Sequence, residues 1–269
     1  MGLYKTEAVV LRARDLGEAD RILTLYSREY GKLDAVAKGV KKMRSKMGGS
    51  AQPLTYSSFL LYRGCSLDTV TGCEPKEMFA GIRENLTSWA YGTYMMELLS
   101  CILPQRVAQE SVFALLLTGL HLLASGPDPE LSVRFWEVHL LRLLGYQPEL
   151  EYCAACRQKI RTAELAFSAR LGGIVCSHCA GLDPTAFRVK GGEIAIWRRL
   201  LQLDSRHLFR LKPNADTRQR LAGLLQYYLQ YHLEKRLKST DFIQHLRSFP
   251  SQGVHGSRCI NHSFQRENN

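Results

Sequence analysis

Tyr4 to Ala37 reads YKTEAVVLRARDLGEADRILTLYSREYGKLDAVA, and the way its apolar runs are punctuated decides the fold of the N-terminal part. Tyr4 to Leu11 (YKTEAVVL) ends in a β-branched, apolar run. Arg21 to Ser27 (RILTLYS) is a second such run. Gly31 breaks it, and Lys32 to Ala37 (KLDAVA) follows as a hairpin partner. Leu54 to Tyr62 (LTYSSFLLY) and, after Gly64, Leu67 to Val70 continue the pattern. Several short strands separated by turn signals predict a small all-β barrel over residues 1–80, of the five-stranded OB type.

Working outward, Lys38 to Gln52 (KGVKKMRSKMGGSAQ) interrupts the strands. It carries Lys38, Lys41, Lys42, Arg44 and Lys46, and no acidic residue occurs between Asp34 and Asp68. The Gly48-Gly49 pair and the lack of periodicity predict a long, mobile loop. Flexible cations on such a loop suit the neutralisation of phosphates, with release of counterions. Their irregular spacing does not suit a helix reading base edges. Tyr56, Phe59 and Tyr62 lie on the strand after the loop, where exposed aromatics could stack bases. Phe59, Leu60 and Leu61 read as core, which leaves Tyr62, next to Arg63, as the aromatic to test.

Beyond about Glu77 the periodicity becomes helical. In Glu84 to Leu103, Leu86, Trp89, Ala90, Tyr94, Leu98 and Ile102 share one face. Pro104 ends that helix. Ser111 to Ala124 and Leu131 to Leu144 follow, the latter with Gly145 as a C-cap. Later helices are expected at Gly192 to Leu203, Thr217 to Leu237 and Asp241 to Phe249. The polar residues 250–269 are expected to be disordered. The predicted architecture is thus α+β and multidomain: a barrel over 1–80, then a helical domain over 81–249 that carries an inserted module at 150–182.

That module holds the strongest motif in the chain. Cys153-Ala-Ala-Cys156, nineteen residues and Cys176-Ser-His-Cys179 make a C-x2-C-x19-C-x2-C pattern. Two intervening residues let both thiolates of a pair reach one ion, and two such turns complete a tetrahedral shell. The expectation is a structural zinc site held by Cys153, Cys156, Cys176 and Cys179. Four sulfur ligands leave no open position for water, so the site would stabilise the fold rather than hydrolyse anything. His178 reads as a solvated residue between two ligands.

The chain of 269 residues has a formal net charge of +11, with 45% hydrophobic and 23% charged residues. This excess favours polyanionic partners, nucleic acid above all. There is no transmembrane-length apolar run and no secretory h-region, so a cytoplasmic protein is expected. No G-x-x-x-x-G-K-[ST] loop, H-E-x-x-H or G-x-S-x-G occurs. His232-Leu233-Glu234 follows both cysteine pairs, and neither pair is preceded by proline, which argues against a zinc deaminase. The expectation is a nucleic-acid-binding protein that is not an enzyme.

The pattern as a whole resembles the bacterial RecO family of recombination mediators. The resemblance rests on TEAVVLRARDLGEADRILTLYSREYGKLDAVAKGVKKMRSKMGGSAQPL, on the four-cysteine module and on YHLEKRLKS at Tyr231 to Ser239. It spans roughly residues 1 to 245. The resemblance implies a DNA-repair protein that binds single- and double-stranded DNA and anneals complementary strands. It also implies work with RecR and with single-stranded-DNA-binding protein to help RecA load, without nucleotide hydrolysis. Arg198, Arg199, Arg210 and Arg218 would be candidates for an acidic protein tail, although each alone reads as an ordinary solvated helix residue. Three rivals remain open to the residues alone: an RNA-binding module of translation or transcription, a zinc hydrolase or deaminase, and a scaffold for an acidic protein.

Overall fold

The structure, a computed structural model, describes residues 2–160, 165–233 and 237–248. The tail expected at 250–269 and Glu234 lie outside the described residues. Five strands open the chain: β1 (Leu3–Leu16), β2 (Asp20–Ser27), β3 (Gly31–Ala37), β4 (Tyr56–Tyr62) and β5 (Asp68–Glu77). They close into a barrel in the order β1-β2-β3-β5-β4, with β3 and β5 parallel and the other pairs antiparallel. This is the OB-type barrel that the sequence predicts.

The continuous apolar run in β1 has a plain cause. Ala8 and Val10 point into the barrel, with Leu23, Leu25, Leu33, Phe59, Leu61 and Val70. Val9 and Leu11 point the other way and join the core of the helices. A strand buried on both faces loses the polar half of its alternation. Leu60, expected in the core with Phe59 and Leu61, is instead 41% exposed. Alternation turns it outward between two buried neighbours.

The helices are α1 (Ala80–Glu84), α2 (Leu86–Ile102), α3 (Glu110–Ser125) and α4 (Pro129–Leu143). Asn85 starts α2, its Oδ1 accepting from Ser88 N at 2.9 Å. Asp128 does the same for α4 through Leu131 N at 3.0 Å, with Pro129 in the first turn. The cysteine module contains a sheet that apolar patterning had not suggested, made of β6 (Leu165–Ser168), β7 (Gly173–Cys176) and β8 (Phe187–Val189) in the order β7-β6-β8. Then come α5 (Gly191–Gln202), α6 (Ala215–Leu233) and α7 (Lys238–Ser248).

Aromatic packing seats the module on the helices. Phe167 of β6 lies 6.0 Å, centroid to centroid, from Trp197 of α5 and 5.3 Å from Tyr228 of α6. A second seam joins barrel to helices. Tyr26 and Tyr56 both meet Phe113 of α3, at 5.9 and 6.0 Å. The stretch between α2 and α3 lies along β3: Arg106 N donates to Lys32 O at 2.8 Å, and Lys32 Nζ donates to Ser100 O at 2.7 Å. Gly31 has φ +67, and any Cβ there would run into the backbone of Val107. Glycine is required on both counts.

Candidate metal cluster and nucleic-acid interface

The cysteine knuckles are built by backbone turns. Cys153 N donates to Gln158 O at 2.9 Å, and Arg157, at φ +61, returns its N–H to Cys153 O at 2.9 Å. On the second arm Cys179 N donates to Cys176 O at 3.0 Å. The β6–β7 hairpin brings the arms together, with Ala154 N bonded to Ile174 O at 2.8 Å. The Sγ atoms of Cys153, Cys156, Cys176 and Cys179 consequently all lie within 4.8 Å of one another. Those of Cys156 and Cys176 are 3.9 Å apart. A tetrahedral zinc with Zn–S near 2.3 Å places its sulfurs about 3.8 Å apart, so the cluster is suited to that ion. His178 is exposed and outside the cluster.

The electrostatics of the four sulfurs ask for a cation. Burial raises the Cys153 thiol, but the N–H groups of Cys156, Cys176 and Ala155 outweigh it and bring the value down to about 6. Cys179 moves the other way, pushed up to about 12 by its hydrogen bond with Cys176 and by burial. One thiolate forms readily and makes the others harder to ionise. A divalent ion removes that conflict by neutralising charge at the point where it converges.

The basic segment after β3 contains neither helix nor strand, as expected, but it is tied down more than a loose loop would be. It runs through successive turns, Lys42 N to Gly39 O, Ser45 N to Lys42 O and Ala51 N to Met47 O. Asp20 Oδ1 accepts from Gly39 N at 2.7 Å. Val40, Met47 and Ala51 pack on the barrel core. This anchoring leaves Lys38, Lys41, Lys42, Arg44 and Lys46 all exposed. Lys41 pairs with Asp15 at 2.9 Å. Among the described residues, no ion pair engages Lys38, Lys42, Arg44 or Lys46.

Tyr62 is 43% exposed. The register places it in one outward-facing row with its neighbours: Arg14 opposite Ile22, Ile22 opposite Val36, Val36 opposite Thr69, and Thr69 opposite Tyr62. Two strand spacings, about 10 Å, therefore separate Tyr62 from Val36, at the foot of the basic segment. Arg63 is exposed, with its guanidinium over the rings of Tyr4 at 5.2 Å and Tyr30 at 5.8 Å. Tyr56, by contrast, is engaged inside the molecule, its hydroxyl donating to Glu7 at 2.5 Å. Arg12 and Arg14, exposed on β1, belong to the same surface and are not among the residues that the sequence singles out. Only the cross-strand register reveals them, because in sequence they look like ordinary polar positions of a strand.

Of the four arginines singled out on the helical part, two serve the fold. Arg218 pairs with Asp128 at 2.6 Å, and Arg198 donates to Leu150 O. Arg199 and Arg210 are exposed. Among the described residues, no helix is long and apolar enough to cross a membrane.

A closed OB barrel with an exposed basic segment, continued by helices that carry a four-cysteine cluster suited to a metal ion, defines the class of fold to which this chain belongs. Comparison with known proteins makes this particular. Residues 1–79 match the family model described as Recombination protein O N terminal, and residues 83–241 match Recombination protein O C terminal. The DNA repair protein RecO of Pelotomaculum thermopropionicum is 43% identical over 251 residues, covering 93% of this chain and 97% of that protein. That of Desulforamulus reducens is 37% identical over 246 residues, with 91% and 96% covered. That of Symbiobacterium thermophilum is 35% identical over 251 residues, with 92% and 99% covered. The chain belongs to the RecO family of DNA repair proteins.

Proposed function

We propose that this chain is a recombination mediator that works by charge neutralisation rather than by catalysis. It binds single- and double-stranded DNA on the barrel, anneals complementary strands, and assists RecA loading together with RecR on DNA covered by single-stranded-DNA-binding protein. The observation that carries this reading is the set of exposed cations Lys38, Lys42, Arg44 and Lys46, free of ion pairs among the described residues, on an anchored segment of an OB barrel. Cations already paired would have to give up a carboxylate before taking a phosphate, and these do not. Lys41, Tyr62 and Arg63 complete the contact surface.

In this reading residues 1–80 are the DNA-binding domain and 81–249 the helical domain, with a zinc module at 150–182. Zinc on Cys153, Cys156, Cys176 and Cys179 would fix the hairpin of the module and supply no reaction. Free thiols clustered for metal suit the reducing cytoplasm. Two strands held on one cationic surface repel each other less, so pairing needs no nucleotide. Arg199 and Arg210 remain as solvent-facing cations for an acidic partner.

The test is strand annealing of complementary oligonucleotides without nucleotide, with and without single-stranded-DNA-binding protein, at low and moderate salt. Acceleration that fades as salt rises is expected. Annealing no faster than in buffer alone, at the lowest salt, would overturn the proposal. A marked preference for RNA over single-stranded DNA in competition would replace it with the RNA-binding reading.

A further inference from the structure

A cavity of 620 Å³ opens in the seam between barrel and helices, apart from the cysteine cluster and the basic segment. Its floor is apolar: Leu11 of β1, Leu54 and Met96 are buried. Trp89 of α2 and Phe242 of α7 form its sides, both partly exposed. Two cations, Arg12 and Lys238, lie exposed at its edge. Its single lining carboxylate, Glu97, is already engaged: Oε1 accepts from Lys238 N at 3.0 Å and Oε2 from Ser239 N at 2.8 Å. The start of α7 thus offsets the one negative charge, and the cavity presents itself as apolar within and positive at the lip.

Its position continues the basic surface. Leu54, in the floor, ends the segment that carries the lysines, and its N–H bonds to Val10 O at 3.0 Å. From Arg12 at the lip, β1 runs past Arg14 on the same face to Asp15, the partner of Lys41. Three residues of strand span about 10 Å. Arg14 and Arg12, exposed and without an ion pair among the described residues, therefore lie between the Asp15–Lys41 pair and the mouth of the cavity. Arg83 fixes the wall beside it, donating to Pro53 O at 2.9 Å with its guanidinium 5.5 Å from the Trp89 ring centroid.

We propose that this cavity receives one unstacked base of a single DNA strand whose phosphates follow Lys41, Arg14 and Arg12. The inference rests on the DNA-binding reading and adds a discriminating element to it. A duplex keeps its bases stacked and paired, so it can use these cations but not the cavity. An aromatic wall contributes base stacking without sequence preference.

The chain carries its own reporter. Of its three tryptophans, Trp136 and Trp197 are buried and Trp89 alone is partly exposed. The experiment measures tryptophan fluorescence and, in parallel, anisotropy of labelled DNA, using short oligo(dT), an abasic oligonucleotide of equal length and a duplex. Oligo(dT) should quench the emission and the abasic strand should not, with the quenching absent in Trp89→Phe. Thr93→Phe, an exposed position that lines the cavity, should weaken oligo(dT) binding about tenfold and leave duplex binding unchanged.

Equal quenching by abasic DNA, or unchanged oligo(dT) affinity in Thr93→Phe, would overturn the base-receiving role while anisotropy still reported DNA binding. Binding of an acidic peptide with an apolar end, lost in Thr93→Phe while oligo(dT) binding persists, would equally overturn it and make the cavity a peptide site. No binding of any DNA at low salt would remove the underlying DNA-binding reading, and this proposal with it.

Discussion

The sulfur cluster and the basic segment make opposite demands on the fold. Four cysteines converge within 4.8 Å, with Cys153 fully buried. The five cations of the basic segment are all exposed, and they spread along turns that run outward from the end of a strand. A site built by convergence depends on angstroms, and a single lost ligand undoes it. A site built on charge depends on the sum of its members and tolerates the loss of each. The difference predicts which changes damage the protein and which only loosen its grip.

The largest effect should follow removal of the metal proposed for the four cysteines. Structural zinc sites of this kind contribute about 10–16 kcal/mol of binding free energy that is at the same time folding free energy. One zinc per chain is expected by elemental analysis. Stripping it with a chelator should expose the amides of Ile174 and Val175 to hydrogen exchange while the amides of Leu23 and Leu25, in the barrel core, stay protected. Protection of the module unchanged in verified metal-free protein would break the contrast at its strongest point.

Convergence also operates without metal, in the helical core. Arg134 Nη1 and Glu137 Oε2 are 2.8 Å apart, with side chains 8% and 0% exposed, and the Tyr94 hydroxyl donates to Glu137 at 2.5 Å. Burial drives the Tyr94 hydroxyl well above its ordinary pKa, with the Glu137 charge adding to it, so it stays a donor at any working pH. Glu137→Ala leaves a buried guanidinium without its carboxylate and should cost about 3–5 kcal/mol in urea unfolding. A loss under about 1 kcal/mol would mean that water reaches Arg134 readily.

The basic segment should behave in the contrary manner. Changing Lys41, Lys42, Arg44 and Lys46 together to Ala should leave thermal stability almost untouched, because these residues lie at the surface and, among the described residues, only Lys41 of the four forms an ion pair. Affinity for single-stranded DNA at physiological salt should fall about a hundredfold, and the log–log salt slope should flatten by about 2 to 3. An unchanged slope would take the DNA contact away from this segment. The same variant with a normal slope but a lower melting temperature would show that the turns, not the charges, matter.

The same opposition explains what could be read from residues alone. The clustering of the four cysteines was legible because their spacing encodes a local turn, and the barrel because its strands are short and punctuated. The longer helices were legible to within a few residues, but α1 was not: Glu84, expected to open the first helix, instead ends α1, and Asn85 caps α2. The module's sheet was not legible, because LAFS and GIVC are four residues each and look like any buried run. Nor was the extension of β5 through Pro75 to Glu77, which depends on its pairing with β4. The row from Arg14 to Tyr62 and the seam cavity arise from partners dozens of residues apart. Their residues carry no shared periodicity, and closure of the barrel alone makes them neighbours.

Asp68 tests whether the barrel, where charge faces outward, also holds a convergent site. Its side chain is fully buried at the start of β5. The Tyr4 hydroxyl and Gly64 N–H donate to it, the latter at 3.1 Å, and Arg106 Nη2 reaches its two oxygens at 3.2 and 3.1 Å. Burial by itself raises this carboxyl; the hydroxyl, the N–H and the guanidinium outweigh it and hold the value below the ordinary one. Because the folded pKa is depressed, the stabilisation is fully present above the unfolded value of about 3.9 and is lost as pH falls through the folded pKa. Asp68→Asn removes the titration and should cost about 1.5–3 kcal/mol near neutrality. Unfolding in urea from pH 6 down to pH 3 should show the gap between parent and variant constant at first, then closing below about pH 4. Glu7 and Glu97 also have depressed values, so the parent alone would lose stability there; the difference between the two proteins isolates Asp68. A gap that stayed constant to pH 3 would mean that Asp68 acts by shape rather than charge. The link it makes from barrel to the segment after α2 would then be packing, like the Tyr26–Phe113 contact, and the contrast between convergent and dispersed charge would stop at the sulfur cluster and the helical core.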